Sequence, residues 1–327
     1  MTKTILIWLL VTIFVANVSI AQAQQSTKVP LIGYVTASSR SNVPARIEAF
    51  QRGMRELGYV EDKNVAIEWR FGDGKPERLP GLVAELVRLK VDVIVTGGPS
   101  TNHAAKEATV TIPIVMGYDT DPVGNGFVAS LARPGGNITG LSTLSPEISG
   151  KQLELLKETV PKLFRVAVLG NSTNPGNTQS LKEIELAARA FKVKLQYLDV
   201  IDPKDIEAAF RAAGKERAGA VLVLASNLFN SHRTQVVELA VKGRLPAIYP
   251  YPEYVEDGGL MTYSASFTDL FRRAATYVDK ILKGRTPADL SVEQPIKFDF
   301  VINLKAAKQI GLTIPPSVLA RADKVIK

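Results

Sequence analysis

The residues best suited to chemistry in this chain are small hydroxyls, amides and tyrosines. They gather in loops rather than in a catalytic cluster. One group is Thr36-Ala37-Ser38-Ser39-Arg40. A second is Gly97-Gly98-Pro99-Ser100-Thr101, which runs into a predicted helix. Free backbone N–H groups at that helix start, with the Ser100 and Thr101 hydroxyls, can hold a carboxylate. Ser100 can equally act as an ordinary helix cap. Tyr118, Asp119 and Asp121 follow. A carboxylate there can pair with a ligand ammonium, and Asp121 can instead cap the segment that begins at Pro122. Later come Asn171 and Asn174, then Ser226 and Asn227, then Tyr249 and Tyr251. A tyrosine beside a cleft offers an apolar wall and a hydroxyl, although the same ring can pack in a core.

Catalytic patterns are missing. The two histidines, His103 and His232, each sit inside a helical pattern among polar residues. No H-x-x-x-H spacing suggests a metal site, and no G-x-S-x-G suggests a nucleophile elbow. Gly124-Asn125-Gly126-Phe127-Val128-Ala129 has the form of a dinucleotide fingerprint. It does not directly follow a strand, as that chemistry requires. The chain has no cysteine, which excludes disulfides, thiol catalysis and a lipid-bearing leader cysteine. We therefore expect no catalytic residues, no metal and no cofactor. The formal charge of +8 is dispersed, as in Arg46-Ile47-Glu48 and Lys182-Glu183-Ile184-Glu185. Without a basic stripe, nucleic acid is not an expected partner.

The elements that must position these loops come in two similar series. Strand-like runs 31–35, 64–69, 91–95 and 112–115 recur in order as 165–169, 193–198, 220–224 and 245–248, with a helical stretch between neighbours. The run 91–95 is almost wholly apolar, as a parallel strand covered on both faces should be. The candidate loops fall after corresponding strands of each series, where α/β sheets bind ligands. The fold class expected is α/β: two Rossmann-like lobes with parallel sheets, joined by a hinge. Predicted helices include 44–57, 79–89, 121–133, 149–159, 177–190, 231–242, 267–283 and 304–310, with Pro315-Pro316 ending the domain. Helix 267–283 follows the second series, and we expect it to return to the first lobe. The expected division is 29–145 plus about 265–290 for the N-terminal lobe, and 146–264 plus about 291–327 for the C-terminal lobe.

Lys3, an apolar run from Ile5 to Val15 and the ending Ala21-Gln22-Ala23 have the order of a secretory signal peptide. Residues 1–23 are expected to be removed after Ala23, leaving a soluble periplasmic chain.

Several strings resemble a known family. They are Ile32-Gly33-Tyr34, F-Q-R-G-M-R-E-L-G-Y-V at 50–60, L-V-R-L-K-V-D-V-I-V at 86–95 and Glu293-Gln294-Pro295. Others are Val301-Ile302-Asn303-Leu304-Lys305 and Gly311-Leu312-Thr313-Ile314-Pro315-Pro316. The most specific is the tract 121–144, D-P-V-G-N-G-F-V-A-S-L-A-R-P-G-G-N-I-T-G-L-S-T-L. The sequence is similar to substrate-binding proteins of bacterial ABC transporters, in the tryptophan/tyrosine transport group. The resemblance implies a type I periplasmic binding protein fold, solute capture in a cleft and delivery to an inner-membrane permease with its ATPase. The expected ligand is a small organic solute, best an amino acid or similar carboxylate, bound by a monomer. Two other functions fit an exported α/β chain: a ligand sensor for a membrane signalling protein, or an enzyme acting on a sugar or nucleotide. The enzyme would need His103 or His232 beside a carboxylate in the cleft.

Overall fold

The computed structural model describes residues 29–327, so the expected leader lies outside the described residues. The first sheet contains β1 (Leu31–Thr36), β2 (Ala66–Phe71), β3 (Val93–Gly97), β4 (Ile114–Asp119) and β5 (Ile138–Ser142). Its strands run parallel in the order β2-β1-β3-β4-β5. Helices α1 (Pro44–Glu56), α2 (Leu79–Arg88) and α3 (Pro99–Ala108) connect them. In α1, Ile47, Phe50 and Met54 are buried on one face, as their spacing predicts.

The second sheet holds β6 (Arg165–Gly170), β7 (Lys194–Asp199), β8 (Ala220–Val223), β9 (Ala247–Tyr249), β10 (Met261–Ala265), β11 (Phe298–Asn303) and β12 (Lys324–Ile326). The order is β12-β11-β10-β9-β8-β6-β7. Its helices are α4 (Ser145–Thr159), α5 (Pro175–Phe191), α6 (Ile206–Lys215), α7 (Asn227–Ser231), α8 (Arg233–Lys242) and α9 (Pro252–Glu256). Next come α10 (Phe267–Leu282), α11 (Leu304–Ile310) and α12 (Pro316–Leu319). Helix α10 packs against α1 and β4 of the first lobe. Its buried Leu270, Phe271, Ala274, Val278 and Ile281 recur at helical spacing.

The chain passes between the sheets three times, at 142–145, 265–267 and 293–298. The third passage is tied to the first sheet, because Glu293 N donates to Gly140 O at 3.0 Å and Ser142 N to Glu293 O at 2.9 Å. It is tied to the second crossing by Ser266 N donating to Lys297 O at 2.9 Å. One apolar cluster spans both lobes, from Tyr34, Phe50 and Phe271 through Tyr118 and Phe267 to Tyr249 and Tyr254.

The structure corrects several expectations. Residues 122–126 form consecutive turns and 127–133 run as bends and irregular chain rather than a helix. Asn125 N donates helically to Asp121 O, but Gly126 then turns left-handed at φ +69°, and Phe127 N donating back to Pro122 O closes the turn and ends the spiral. The helix expected at 231–242 is α8, starting two residues later at Arg233, and the short α7 precedes it as a separate turn that was not foreseen. The aromatic loop 249–254 runs into α9, and α4 starts one turn earlier than expected, at Ser145. Parallel pairing holds except between β10 and β11, which are antiparallel. The strand β11 enters from the hinge after the excursion through α10, so its direction is reversed. Pro315-Pro316 does not end the fold. Pro315 caps α12 and Pro316 opens it, positions that need no N–H, and β12 then pairs with β11.

Candidate ligand site

Two cavities lie between the lobes and share no lining residue. The first, of about 490 Å3, is walled by loops that follow the strands. From the first lobe come Ser100, His103, Asn125 and Phe127. From the second come Asn171, Thr173, Asn174, Ser226 and Leu228. Thus Ser100, Asn171, Asn174 and Ser226 of the sequence candidates are brought together. Much of their hydrogen bonding is local. Asn171 Oδ1 accepts from Thr173 N at 2.9 Å, and Asn171 N donates to Asn177 Oδ1 at 2.8 Å. Asn174 caps α5 through Gly176 N at 3.2 Å, and Ser226 caps α7 through Leu228 N at 3.1 Å. Asn227 is the first residue of α7.

Ser100 is not a cap. Helix α3 opens at Pro99, and its N-cap is Gly98. Proline fits the first helical position because it has no N–H to satisfy there. Thr101 is fully buried and donates to Gly98 O at 2.7 Å, which turns its hydroxyl into the loop. Ser38 and Ser39 line neither cavity: Ser38 N donates to Thr36 Oγ1, and Ser39 meets Ser41 at 3.1 Å.

Asp119 organises the turn after β4. Its carboxylate accepts from Asn102 Nδ2 at 2.6 Å, Asp121 N at 2.9 Å and Asn125 Nδ2 at 2.8 Å. Asp121 in turn accepts from Gly124 N at 2.9 Å, so both acids serve the loop. Burial pushes the Asp119 carboxyl up to about 6, although the three donors oppose the shift. Because the folded value exceeds the ordinary 3.8, this group stabilises the fold most below 3.8. Its contribution is lost as pH rises through about 6. Asp119→Asn removes the titration. In denaturant unfolding, wild type should lose about 3 kcal/mol relative to this variant between pH 3.8 and neutrality. Parallel stability curves for the two proteins would contradict the assignment.

The second cavity, of about 360 Å3, was not foreseen. It is walled by the start of α1, by α9, by the start of α10 and by the β11–β12 edge. At its inner wall Arg46 of α1 forms an ion pair with Glu253 of α9, Nη2 donating to Oε1. Only 7% of Arg46 is exposed. The guanidinium centre lies 4.1 Å from the Phe267 ring, 5.6 Å from Tyr118 and 5.9 Å from Tyr251. The aromatic faces attract the cation, most strongly when water is excluded. Burial works against the charge, but the Glu253 carboxylate and the surrounding tyrosines outweigh it and hold the Arg46 pKa above its ordinary value.

Tyr118 and Tyr251 belong to this box. Their rings meet edge-to-face at 6.5 Å, and each meets Phe267 edge-to-face. Tyr118 also closes over Gly98, since a Cβ placed there would lie 2.6 Å from its hydroxyl. Tyr249 is a core residue, 1% exposed and stacked on Tyr254 at 5.0 Å. Burial raises its pKa. Sequence reasoning missed Arg46 and Glu253, because charge on an amphipathic helix reads as solvated. It also passed over Asn125, Phe127 and Thr173, although all three flank candidates it named.

His103 does line the first cavity, with Glu107 beside it at 3.2 Å. Both side chains are 67% exposed, and Glu107 is one turn along the same helix. Among the described residues, no group of three or more His, Cys, Asp or Glu can hold a metal ion.

Two α/β lobes with three crossings, enclosing cavities walled from both sides, define a two-lobed solute-binding protein of the type I periplasmic class. The chain belongs to the ABC transporter substrate binding protein family, whose model it matches over residues 28–326. A crystal structure of a conserved domain protein from Vibrio cholerae is 31% identical, with a TM-score of 0.82 over 91% of this chain and 100% of that one. A domain from Streptococcus pneumonia, solved in complex with L-Trp, is 27% identical, with a TM-score of 0.83 over 91% and 99%. A tyrosine-binding protein of Clostridioides difficile is 25% identical over 267 residues, covering 81% of this chain and 76% of that one.

Proposed function

We propose that this chain is an exported monomeric receptor that captures an aromatic α-amino acid between its lobes and hands it to an ABC permease. The observation that carries the reading is the pair of cavities walled from both lobes, of a size suited to one small ligand. Ligand contacts from both sides favour the closed form, which a permease can then recognise. The named ligands of two relatives, L-Trp and tyrosine, support the aromatic class. The order of residues 1–23 supports export, with a periplasmic chain beginning at Gln24. The division into lobes follows the crossings: 29–145 with about 265–290, and 146–264 with about 291–327.

The enzyme reading takes support from His103 in the first cavity. Its partner Glu107, however, stands in solvent on the same helix, and among the described residues no third group orients the ring. The receptor reading takes this pair as an ordinary helix-surface contact. The test is calorimetry on chain recovered from the periplasm, titrated with L-tyrosine, L-tryptophan, other amino acids and monosaccharides. We expect binding of an aromatic amino acid, and recovery of that ligand unchanged by mass spectrometry. Heat from sugars alone would overturn the amino-acid class, and a chemically altered ligand would overturn the receptor role.

A further inference from the structure

The ion pair between Arg46 and Glu253 is incomplete. Arg46 Nε and Glu253 Oε2 are both buried from solvent, and neither has a hydrogen-bond partner. One is a donor without an acceptor, and the other is an acceptor without a donor. Leaving two such atoms unpaired is costly, because each has lost water and gained nothing in return. Both residues line the second cavity, where the ring of Phe267 and the apolar Val43 and Pro44 supply a wall. Its lining also carries Glu256, Asp299 and Asp323 against one cation, Lys324, a balance that favours a cationic end on the ligand.

We propose that this cavity, and not the loop-walled one, holds the head group of the ligand. The ligand carboxylate accepts from Arg46 Nε, its ammonium donates to Glu253 Oε2, and its body lies along Phe267. A single α-amino-acid head group carries the missing acceptor and the missing donor close together. It supplies a partner to each of the two atoms. The two protein atoms belong to different lobes, so the same head group ties α1 to α9 across the gap. This explains how binding is coupled to closure: the site is whole only when the lobes are together.

The inference rests on the amino-acid reading above, and its test separates the two. The variants are Arg46→Lys, which keeps the charge and the aromatic contacts but lacks Nε, and Glu253→Gln, which keeps the shape. Ser100→Ala and Ser226→Ala probe the other cavity. The ligands are L-tyrosine, tyramine, which lacks the carboxylate, and hydroxyphenylpropionic acid, which lacks the ammonium. An analogue too weak to titrate directly is ranked by its displacement of L-tyrosine.

Arg46→Lys should weaken L-tyrosine at least about tenfold while changing tyramine less than about twofold. Glu253→Gln should weaken L-tyrosine at least about tenfold while changing the deaminated acid less than about twofold. The two serine variants should lose less L-tyrosine affinity than either ion-pair variant. An equal loss for L-tyrosine and its analogues would make the pair a lobe tie with no ligand contact, and would overturn the proposal. So would a loss confined to the serine variants, or affinities in both ion-pair variants within twofold of wild type. If wild type binds no amino acid, the amino-acid reading fails first and this proposal with it.

Discussion

Glu253→Ala should lower the unfolding free energy by about 3–5 kcal/mol, as removal of one partner of a buried ion pair does. The magnitude follows from what stays behind. Arg46 is buried among Phe267, Tyr118 and Tyr251, and its guanidinium has no other ion-pair partner among the described residues. Many buried groups escape such a position by neutralising, but a guanidinium does not lose its proton in a protein. Its aromatic neighbours return only about 2 kcal/mol of the cost. The double variant Arg46→Met with Glu253→Leu should recover most of the loss, since an apolar pair leaves no charge to desolvate. Urea unfolding of the wild type, the single variant and the double variant measures both effects. A loss below about 1 kcal/mol in the single variant, the worth of an exposed pair, would mean that the guanidinium reaches water when the lobes part.

The second large effect is expected at Gly140→Ala. Gly140 lies in β5, opposite Met116 of β4, at φ +136°. A Cβ there would stand 2.2 Å from Met116 O and 2.6 Å from Met116 N. Both atoms belong to the backbone of a buried strand, so no rotamer change relieves the clash. Strain at this φ and the forced separation of β4 from β5 together should cost about 4 kcal/mol. The cost also reaches the hinge, because Gly140 O accepts from Glu293 N on the third crossing. Gly81→Ala is the control. Gly81 lies within α2 with open space at its Cβ position, and alanine there should stabilise by about 0.5–1 kcal/mol. Equal unfolding midpoints for the two variants would refute the strain at Gly140.

Strand order, the two lobes and the places of the loops were legible because they depend on short-range patterns. The apolar run 91–95 reads as a covered strand whatever lies above it. Ile47, Phe50 and Met54 define the buried face of α1 by their spacing alone. The candidates Ser100, Asn171, Asn174 and Ser226 converge on one cavity because each follows the carboxyl end of a strand, and topology brings those ends together. The direction each side chain takes was not legible. Thr101 and Asp119 sit among the same loop residues, yet both turn inward to bond with their own loops. The helix expected after Asp121 was lost to a left-handed glycine, a backbone property that apolar spacing does not report.

Arg46 marks the boundary between the two kinds of information. In the sequence Arg46-Ile47-Glu48 reads as dispersed surface charge, and the reading is sound for most such triplets. Its partner Glu253 is 207 residues away, in a helix of the other lobe. The sequence by itself determined an α/β chain with two similar lobes, no cysteine chemistry and loops suited to holding a polar solute. Only the tertiary structure decided that a charged side chain at the start of α1 would be enclosed by three aromatic rings and a distant carboxylate. The physical reason is that burial of a charge is set by what converges on it. Here α1, β4 and α10 of the first lobe bring Arg46, Tyr118 and Phe267 together, and Glu253 joins them from α9 of the other lobe.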